Sequence, residues 1–403
     1  MLEFHSGSSG LVNTRRAVAE CLEVALGTGS TDCNLVVFCT TMGHNFPELL
    51  SEVHRLAPSA KIVGTTSSGV IGRSGPNESM RALALMAVRG PADCLSVAGE
   101  ESLVQHDYYQ AGAAIARQLQ KSTPEISFIL MYVSPLGYPN GPVDNVVRGM
   151  ESVVGPDVPI IGGFSTDNNK IVTCYEFLED RILERGAVAV AFTDPGLEVI
   201  SRSNHGFTVL GEPFVATKVD GNHVYELNGK PAWTLLCERL GVPEETHPMS
   251  IFPFAALAEE LPPELHEEYG ANYLARFAAA LTDGRGGIYC FHTVEPGARL
   301  WLLERDEQEI FNGISYLTGE MIRKLDGRRP IAVFHSDCLL RGKLLFNRIA
   351  KEEIVTRIQE PICGTDEIPW LGMYGAGEVG PLGGRNMVHL FTTTVAAVTE
   401  RSE

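Results

Sequence analysis

The sequence predicts an α/β protein with mixed sheets, built from repeated units of strand, helix, strand and hairpin and divided into two halves. The first observation behind this prediction is an outline shared by three segments, at residues 35–69, 128–167 and 331–377. Each segment runs from a short apolar stretch through an amphipathic helix to a second apolar stretch that contains glycine. Short apolar stretches bounded by turn residues are typical of buried strands, and a 3.6-residue period indicates a helix.

The second observation is a recurring spacing in the return strands. A glycine in each return is followed five positions later by a second glycine or an aspartate: Gly64 with Gly69, Gly162 with Asp167, and Gly372 with Gly377. Glycine and aspartate tolerate the left-handed backbone conformation, so the spacing predicts tight turns at three equivalent places.

The remaining elements follow in a regular order along the chain. Helices are predicted at residues 14–26, 46–56, 108–119, 143–153, 232–240, 310–325 and 349–358. Hairpins are predicted where turn residues separate two apolar stretches, at 83–98, 187–201 and 288–304, with an additional hairpin at 215–227. Residues 243–265 are rich in proline and acidic residues and resemble an insertion. A cluster of Gly, Asn and Asp near residue 222 places a domain boundary there, which gives halves of 1–222 and 223–403.

Composition indicates a soluble globular protein and argues against two classes of partner. The chain has 403 residues, of which 44% are hydrophobic and 20% are charged, and its net charge is -18. Nucleic acid and anionic membranes attract clustered lysine and arginine, so neither is an expected partner. No apolar run approaches the roughly 18 to 20 residues that span a bilayer, and the N-terminus lacks the pattern of a secretory signal. Nine cysteines without a C-x-x-C pair favour reduced, buried thiols and a cytoplasmic protein.

Adjacent polar residues at the end of a predicted strand are the first candidate site. His335, Asp337 and Cys338 follow the apolar run that begins at residue 331, and strand ends of α/β folds commonly expose functional groups. A cysteine-dependent hydrolase or transferase could use these three residues. Neighbours on an extended strand point to opposite faces, however, so His335 and Cys338 meet only if the chain turns sharply. A non-catalytic protein is therefore the preferred reading, with the enzyme as the alternative.

Arg341 and Glu378 are the second candidate pair. An arginine just beyond a strand end can bind a carboxylate or another anion through two hydrogen bonds. Glu378 lies next to Gly377 in the glycine-rich return, where it could bind an amine or pair with Arg341. We expect Arg341 and Glu378 to lie at one site, either as a ligand-binding pair or as a structural ion pair. Cys338, Arg341, Gly377 and Glu378 are thus the predicted ligand-binding residues.

These motifs resemble a known sensory family. The pattern Cys338-x-x-Arg341-Gly342, the stretch 371–381 and the pattern His389-x-x-Thr392 resemble the C-terminal half of the FIST sensory domain. Residues 160–167, 186–190 and 224–232 resemble its N-terminal half and the junction between the halves. The likeness covers roughly residues 30–395. One departure is Leu390, which stands where the family often has asparagine after the histidine.

The resemblance implies a sensor of small ligands, with amino acids or other small metabolites among the expected ligands. A FIST protein without an output domain resembles the nitric-oxide-sensing haem proteins that act on a separate histidine kinase, so haem is an expected cofactor and a kinase an expected partner. A neutral histidine is the usual axial ligand of iron in such sensors. His205 is the first choice for this metal ligand because Asn204 and Gly206 leave room beside it and Phe207 offers apolar contact. His335 is the second choice.

Overall fold

The predicted repeat and the mixed α/β class are both confirmed by the architecture. A computed structural model describes residues 1–103, 107–122, 125–135, 143–168, 172–277, 281–342 and 352–401. The first unit consists of β1 (Glu3–Ser9), α1 (Thr14–Leu26), β2 (Leu35–Thr40), α2 (Phe46–Leu56), β3 (Lys61–Thr66), the hairpin of β4 (Val70–Gly72) and β5 (Gly75–Asn77), and β6 (Leu83–Arg89). The second unit consists of β7 (Leu95–Glu100), α3 (Tyr108–Ser122), β8 (Phe128–Val133), α4 (Asn145–Val154), β9 (Ile160–Phe164), the hairpin of β10 (Tyr175–Leu178) and β11 (Arg181–Glu184), and β12 (Ala187–Phe192).

The third unit is interrupted by a large insertion. It begins with β13 (Leu197–Asn204), after which residues 205–306 form the inserted segment. Its elements are β14 (Phe207–Val209), β15 (Phe214–Asp220), β16 (His223–Leu227), β17 (Lys230–Pro231), α5 (Ala232–Leu240), α6 (Pro248–Ile251), β18 (Ala255–Glu260), α7 (His266–Tyr269), β19 (Tyr273–Phe277), β20 (Leu281–Thr282), β21 (Ile288–Tyr289) and β22 (Arg299–Arg305). The unit then continues with α8 (Glu307–Leu325), β23 (Ala332–Cys338), a π-helix (Glu352–Gln359), an α-helical turn (Glu360–Cys363), β24 (Trp370–Gly375), the hairpin of β25 (Glu378–Leu382) and β26 (Arg385–His389), and β27 (Thr393–Glu400).

The three units exchange hairpins in a ring. Over the described residues they form three six-stranded sheets, with strand orders β1-β6-β2-β3-β10-β11, β26-β25-β9-β8-β12-β7 and β13-β27-β23-β24-β4-β5. In each sheet, two parallel and two antiparallel strands come from one unit, and the two strands of the hairpin come from another. The sheets are therefore related by a pseudo-threefold axis. The insertion adds a separate nine-stranded sheet.

The hairpins predicted at residues 83–98, 187–201 and 288–304 are wrong. β6 pairs with β1 and β2, whereas β7 pairs with β12, so the chain crosses from one sheet to another at Gly90. The same crossing separates β12 from β13. β21 and β22 likewise lie beside other strands. Local turn signals do not reveal which strand supplies the partner, because that choice depends on distant residues. The additional hairpin at 215–227 is confirmed as β15 and β16.

Local sequence explains where the first helices begin. The side chains of Asn13 and Asn45 accept hydrogen bonds from Arg16 N and Glu48 N and thereby cap α1 and α2. Both helices end where predicted. The helix expected at 349–358 is a π-helix over its described part, and Ile349 lies outside the described residues. Within those residues no helix combines the length and the apolar character that crossing a membrane requires.

The recurring glycines are explained by close packing instead of left-handed turns. A Cβ atom at Gly64 would lie 2.5 Å from the Phe38 ring, and one at Gly372 would lie 2.5 Å from His335 O. Gly162 combines a φ of +132° with a contact of 1.9 Å to Met131 O. Gly69, Asp167 and Gly377 are absent from the described residues with positive φ, so the prediction of left-handed turns there is wrong. At Gly64, Gly162 and Gly372, neighbouring atoms lie too close for any residue with a side chain to fit.

Candidate functional site

The ends of the return strands of the three units meet at the pseudo-threefold axis. Three backbone hydrogen bonds join them in a closed ring: Ser68 N to Tyr374 O (3.0 Å), Thr166 N to Thr66 O (3.1 Å) and Ala376 N to Phe164 O (2.9 Å). In every unit the donor residue lies two positions after the acceptor residue. Thr66, Phe164 and Tyr374 are therefore equivalent positions of the three units. In α/β proteins, ligands bind beyond the carboxyl ends of such strands.

A buried ionic cluster lies beside this ring in the third unit. Arg341 Nε is 2.9 Å from Asp337 Oδ1, and Arg341 Nη2 donates to Glu353 Oε1 at 2.6 Å. None of these side chains is more than 1% exposed. Asp337 lies at the end of β23, Arg341 closes a 3-10 turn four residues later, and Glu353 lies in the π-helix. A π-helical turn is rare and is frequently found at functional sites.

In the described residues of the other two units, no such cluster is present. Asp337 pairs with Tyr374 across the parallel strands, and the same register places Thr40 opposite Thr66 and Val133 opposite Phe164. Thr40 and Val133 therefore occupy the position of Asp337, and neither is charged. Burying charges is costly, and an ion pair offsets that cost only in part. Because two equivalent units have an uncharged residue at the position of Asp337, the fold of the unit does not require a charge there.

Burial sets the charge states within the cluster. It raises the pKa of Asp337 to about 8 and raises the pKa of Glu353, although the Arg341 guanidinium acts in the opposite direction on both carboxyls. Burial alone would lower the pKa of Arg341, but the carboxylates of Glu353 and Asp337 raise it above its ordinary value. Arg341 is consequently charged at neutral pH.

Glu378 lies near Arg341 but does not pair with it, so a direct ion pair between them is a wrong expectation. Glu378 Oε2 accepts hydrogen bonds from Thr392 N (3.1 Å) and Thr392 Oγ1 (2.6 Å). Glu378 Oε1 is buried and has no hydrogen-bond partner among the described residues. Burial raises the pKa of Glu378 well above its ordinary value, although Arg341 acts to lower it. When it is protonated, this carboxyl can donate a hydrogen bond.

Tyr269 brings a third polar group from the inserted segment. Its ring stacks on His389 with centroids 5.8 Å apart, and it meets His205 edge-on at 5.6 Å. Burial raises the pKa of the Tyr269 hydroxyl, with contributions from Glu378, which raises it, and Arg341, which lowers it. In the described part of the chain, the Tyr269 hydroxyl and Arg341 Nη1 are buried without a hydrogen-bond partner. We call Arg341, Glu378 and Tyr269, which interact electrostatically with one another, the polar pocket.

His205 borders the polar pocket, but its surroundings do not fit an axial ligand of haem. Phe207 N donates to Nδ1 at 3.2 Å, so the proton is on Nε2, which donates to Tyr273 O at 2.8 Å. Neither nitrogen has a lone pair available for iron. Gly206 leaves no room for a macrocycle, because a Cβ atom there would lie 2.1 Å from Ile310 Cγ1. Burial also lowers the pKa of His205 to about 4.

His335 fits haem no better. Its Nε2 lies 2.8 Å from Thr393 Oγ1, and burial lowers its pKa to about 3. Nδ1 has no partner within the described ranges, but the cavity beside the ring has a volume of only about 10 Å³. This is roughly the space of one water molecule. No set of three or more His, Cys, Asp or Glu side chains in the described segments is arranged to hold a metal ion.

Cys338 and Gly377 are structural parts of the site. Cys338 N donates to Thr392 O at 2.9 Å, and burial raises the pKa of the Cys338 thiol, which therefore stays protonated. Gly377 O accepts a hydrogen bond from Phe164 N at 2.8 Å, and a Cβ atom at Gly377 would lie 3.1 Å from Leu390 and Phe164 side-chain atoms. The geometry gives no support to Cys338 as a nucleophile, since His335 is hydrogen bonded to Thr393 instead.

The sequence analysis did not identify Glu353 and Tyr269, nor Arg305, whose Nη1 donates to Leu340 O next to Arg341 at 2.9 Å. Glu353 follows another glutamate in a helical stretch, and such a pair is ordinarily a solvated surface feature. Tyr269 lies just beyond the proline-rich stretch that resembled an insertion. Arg305 ends β22, where nothing in the local pattern distinguishes it from a surface arginine. No pattern in the sequence identifies these three residues, and only the tertiary structure shows where they lie.

The structure is that of an α/β protein of three units with buried polar side chains beside the pseudo-threefold axis. Two family profiles, described as the FIST N domain and the FIST C domain, match residues 34–230 and 232–381. The chain therefore belongs to the FIST family. FIST domains are sensor domains, which indicates a role in small-ligand sensing.

Relatives extend the likeness over nearly the whole chain. An uncharacterized protein of Mycobacterium tuberculosis is 24% identical over 401 residues, covering 97% of this chain and 98% of the relative. An uncharacterized protein of Mycobacterium bovis is 25% identical over 251 residues, or 62% of each chain. Among solved structures, cyanuric acid hydrolase from A. caulinodans aligns over 100% of both chains with 8% identity and a TM-score of 0.39. T. maritima PurL complexed with ATP aligns over 99% of this chain and 72% of its own with 10% identity and a TM-score of 0.23.

Proposed function

We propose that the protein senses a small ligand that binds in the polar pocket of Arg341, Glu378 and Tyr269. The observation that carries this proposal is the buried ionic cluster of Asp337, Arg341 and Glu353, which among the described residues occurs in one of the three equivalent units and adjoins buried polar atoms without a protein partner. Buried polar groups are normally hydrogen bonded, and those without a protein partner commonly mark a ligand or water site. Specialisation of a single unit is the pattern expected when a repeated fold acquires a binding site.

The unpartnered atoms favour a ligand that accepts hydrogen bonds. Arg341 Nη1 and the Tyr269 hydroxyl are donors, and the Glu378 carboxyl, whose pKa is raised by burial, can donate as well when it is protonated. A carboxylate or a similar oxyanion matches this set, because charge-assisted hydrogen bonds from arginine are short and strong. Small metabolites with a carboxylate, including amino acids, are therefore the proposed ligand class.

Enclosure of the pocket supports sensing over simple binding. Arg341, Glu378 and Tyr269 are each no more than 1% exposed. A ligand can reach them only if neighbouring chain segments move, so binding is linked to a conformational change. The ligand then stabilises one of the two conformations, and the size of this effect equals the difference between the free energies with which it binds them.

A thermal-shift screen tests the proposal. Wild type is compared with Tyr269→Phe, which removes only the hydroxyl, against small carboxylates and their uncharged amides. A carboxylate at 100 times its Kd is expected to stabilise wild type by about 2.7 kcal/mol. Tyr269→Phe should bind it about ten-fold more weakly, because one hydrogen bond to a charged group is lost.

Tyr316→Phe is the matched control, since the exposed Tyr316 hydroxyl donates to Glu267 O outside the pocket. Its affinity for the carboxylate should equal that of wild type. If Tyr269→Phe and Glu378→Gln both keep wild-type affinity for every carboxylate that binds, the pocket is not the ligand site.

The resemblance to nitric-oxide-sensing haem proteins suggests a finer proposal, haem-based sensing that acts on a separate histidine kinase. The packing of His205 and His335 gives it no support. It is tested separately, by the absorption spectrum of protein purified after growth with a haem precursor. Absence of a Soret band from wild type would remove haem and leave the carboxylate proposal intact, while a band unchanged in His205→Ala would exclude His205 as the ligand.

A further inference from the structure

The inserted segment starts and ends beside the polar pocket. It occupies the connection between β13 and α8, a place where the first unit has only residues 10–13 between β1 and α1. Asp306 N donates to Gly206 O at 3.1 Å, and Phe207 pairs with Arg305 across β14 and β22. The two ends of the insertion are thus held together, and Arg305 lies at this base.

Arg305 joins the insertion to the backbone on both sides of the pocket. Its Nη1 donates to Leu340 O at 2.9 Å, and its Nη2 donates to Phe391 O at 3.0 Å. Leu340 directly precedes Arg341, and Phe391 directly precedes Thr392, which is the hydrogen-bond partner of Glu378. Nη1 also approaches Pro253 O of the insertion at 3.4 Å. One guanidinium therefore contacts the insertion, the residue before Arg341 and the residue before the hydrogen-bond partner of Glu378.

Phe391 has an unfavourable backbone conformation between the polar pocket and the insertion. Its φ is +62°, a left-handed conformation that is unfavourable for a bulky side chain. The ring packs between two phenylalanines of the insertion, Phe207 at 5.2 Å and Phe252 at 5.3 Å. Such a backbone conformation persists only while the surrounding contacts hold it. Arg305 supplies one of those contacts through the Phe391 carbonyl, and Glu378 supplies others through Thr392.

We propose that Arg305 couples the polar pocket to the inserted segment, so that a change at Glu378 and Thr392 is transmitted through Phe391 to the packing of β18. This inference rests on the proposed function for the identity of the stimulus, but the coupling itself is a property of the ligand-free protein. β18 is the strand that follows Pro253, and it pairs with β22 up to Ala255 opposite Glu304. A shift of the Arg305 guanidinium therefore acts directly on the strand pair of β18 and β22.

Hydrogen exchange measured by mass spectrometry tests the coupling without a ligand. Thr392→Val keeps the side-chain volume and removes the hydrogen bond from the Thr392 hydroxyl to Glu378, while the bond from Thr392 N remains. The substitution therefore perturbs only the contact with Glu378. In the otherwise wild-type protein, Thr392→Val should accelerate amide exchange in Ala255–Glu260 by about five-fold, which is a typical size for the energetic coupling between two sites. In an Arg305→Met background the same substitution should change exchange there by less than about two-fold.

Arg239→Met is the matched control background. Arg239 also donates to two backbone carbonyls, of Leu210 and Glu212, and lies 4.6 Å over the Phe214 ring, but all these contacts are within the insertion. The full effect of Thr392→Val should persist in this background. Should Arg305→Met not fold, Arg305→Lys replaces it, since the lysine keeps the charge but cannot bridge both carbonyls.

The outcomes separate this inference from the proposed function. Equal acceleration with and without Arg305, no acceleration in the chain that has Arg305, or loss of the effect in Arg239→Met would each overturn the coupling. None of these results depends on whether a carboxylate binds. Conversely, carboxylate binding that is insensitive to Tyr269→Phe and Glu378→Gln would overturn the ligand site while the exchange result stands.

Discussion

Replacing Glu176 by glutamine is expected to stabilise the protein at neutral and alkaline pH. Glu176 lies on β10 and is fully buried where the hairpin of the second unit joins the sheet of the first. Ser165 Oγ contacts Glu176 Oε1 at 2.5 Å, and Gly186 N donates to Glu176 Oε2 at 3.0 Å. Burial raises the pKa of Glu176 from 4.5 to about 8, despite these hydrogen bonds. Glutamine has the shape and the hydrogen-bonding pattern of the protonated acid.

The magnitude follows from linkage between protonation and folding. Between pH 4.5 and pH 8 the unfolded chain loses a proton that folded Glu176 retains, so the wild type loses stability as the pH rises. The difference between the two pKa values is worth about 1.4 kcal/mol per pH unit, or about 4 kcal/mol at pH 8. Glu176→Gln has no such proton. The advantage of the variant should therefore grow from near zero in acid to about 4 kcal/mol at pH 8.

Urea-induced unfolding at pH 5, 6, 7 and 8, followed by circular dichroism, measures this difference. Glu184→Gln is the control, because Glu184 is an exposed residue of the same hairpin. Its unfolding midpoint should follow that of wild type at every pH. A constant difference between Glu176→Gln and wild type from pH 5 to pH 8 would refute the argument, since it would mean that Glu176 ionises in the folded protein as it does in the unfolded chain.

Three further predictions concern the site. Arg341→Met should lower the free energy of unfolding by about 3 to 5 kcal/mol above pH 8, where Asp337 is ionised, because it leaves buried carboxylates without a counter-charge. The loss, measured by urea unfolding, should shrink as the pH falls below 8, and a pH-independent loss would contradict this reason. Cys338 should react with iodoacetamide more slowly than the half-buried Cys94 and Cys363, as read by peptide mass spectrometry; rapid selective labelling of Cys338 would revive the cysteine-dependent enzyme. Gly206→Ala should lower stability by about 1 to 3 kcal/mol in the same urea assay, since its Cβ would meet Ile310; an unchanged midpoint would show that α8 can move away.

The sequence by itself determined the repeated unit and the approximate location of the site. Apolar periodicity and helix caps are local, so α1 and α2 end where the pattern predicts. The strand-end position of Arg341 and the glycine-rich return around Glu378 singled out two residues that interact electrostatically in the structure without forming an ion pair, and their role as one ligand site stays a prediction. These predictions needed only short-range information, because each rests on residues close together in the chain.

Only the tertiary structure decided how the units exchange hairpins and which groups meet at the pocket. Packing between residues far apart in sequence determines which strands pair, so local turn signals led to wrong hairpins at residues 83–98, 187–201 and 288–304. Glu353 lies in a helix 12 residues beyond Arg341, while Tyr269 and Arg305 come from the insertion. An arginine at the end of a strand carries the same local pattern whether it faces water or a buried carboxyl. The difference between the two environments is burial, because a buried charge has lost the water that would otherwise hydrate it and needs an ionic partner.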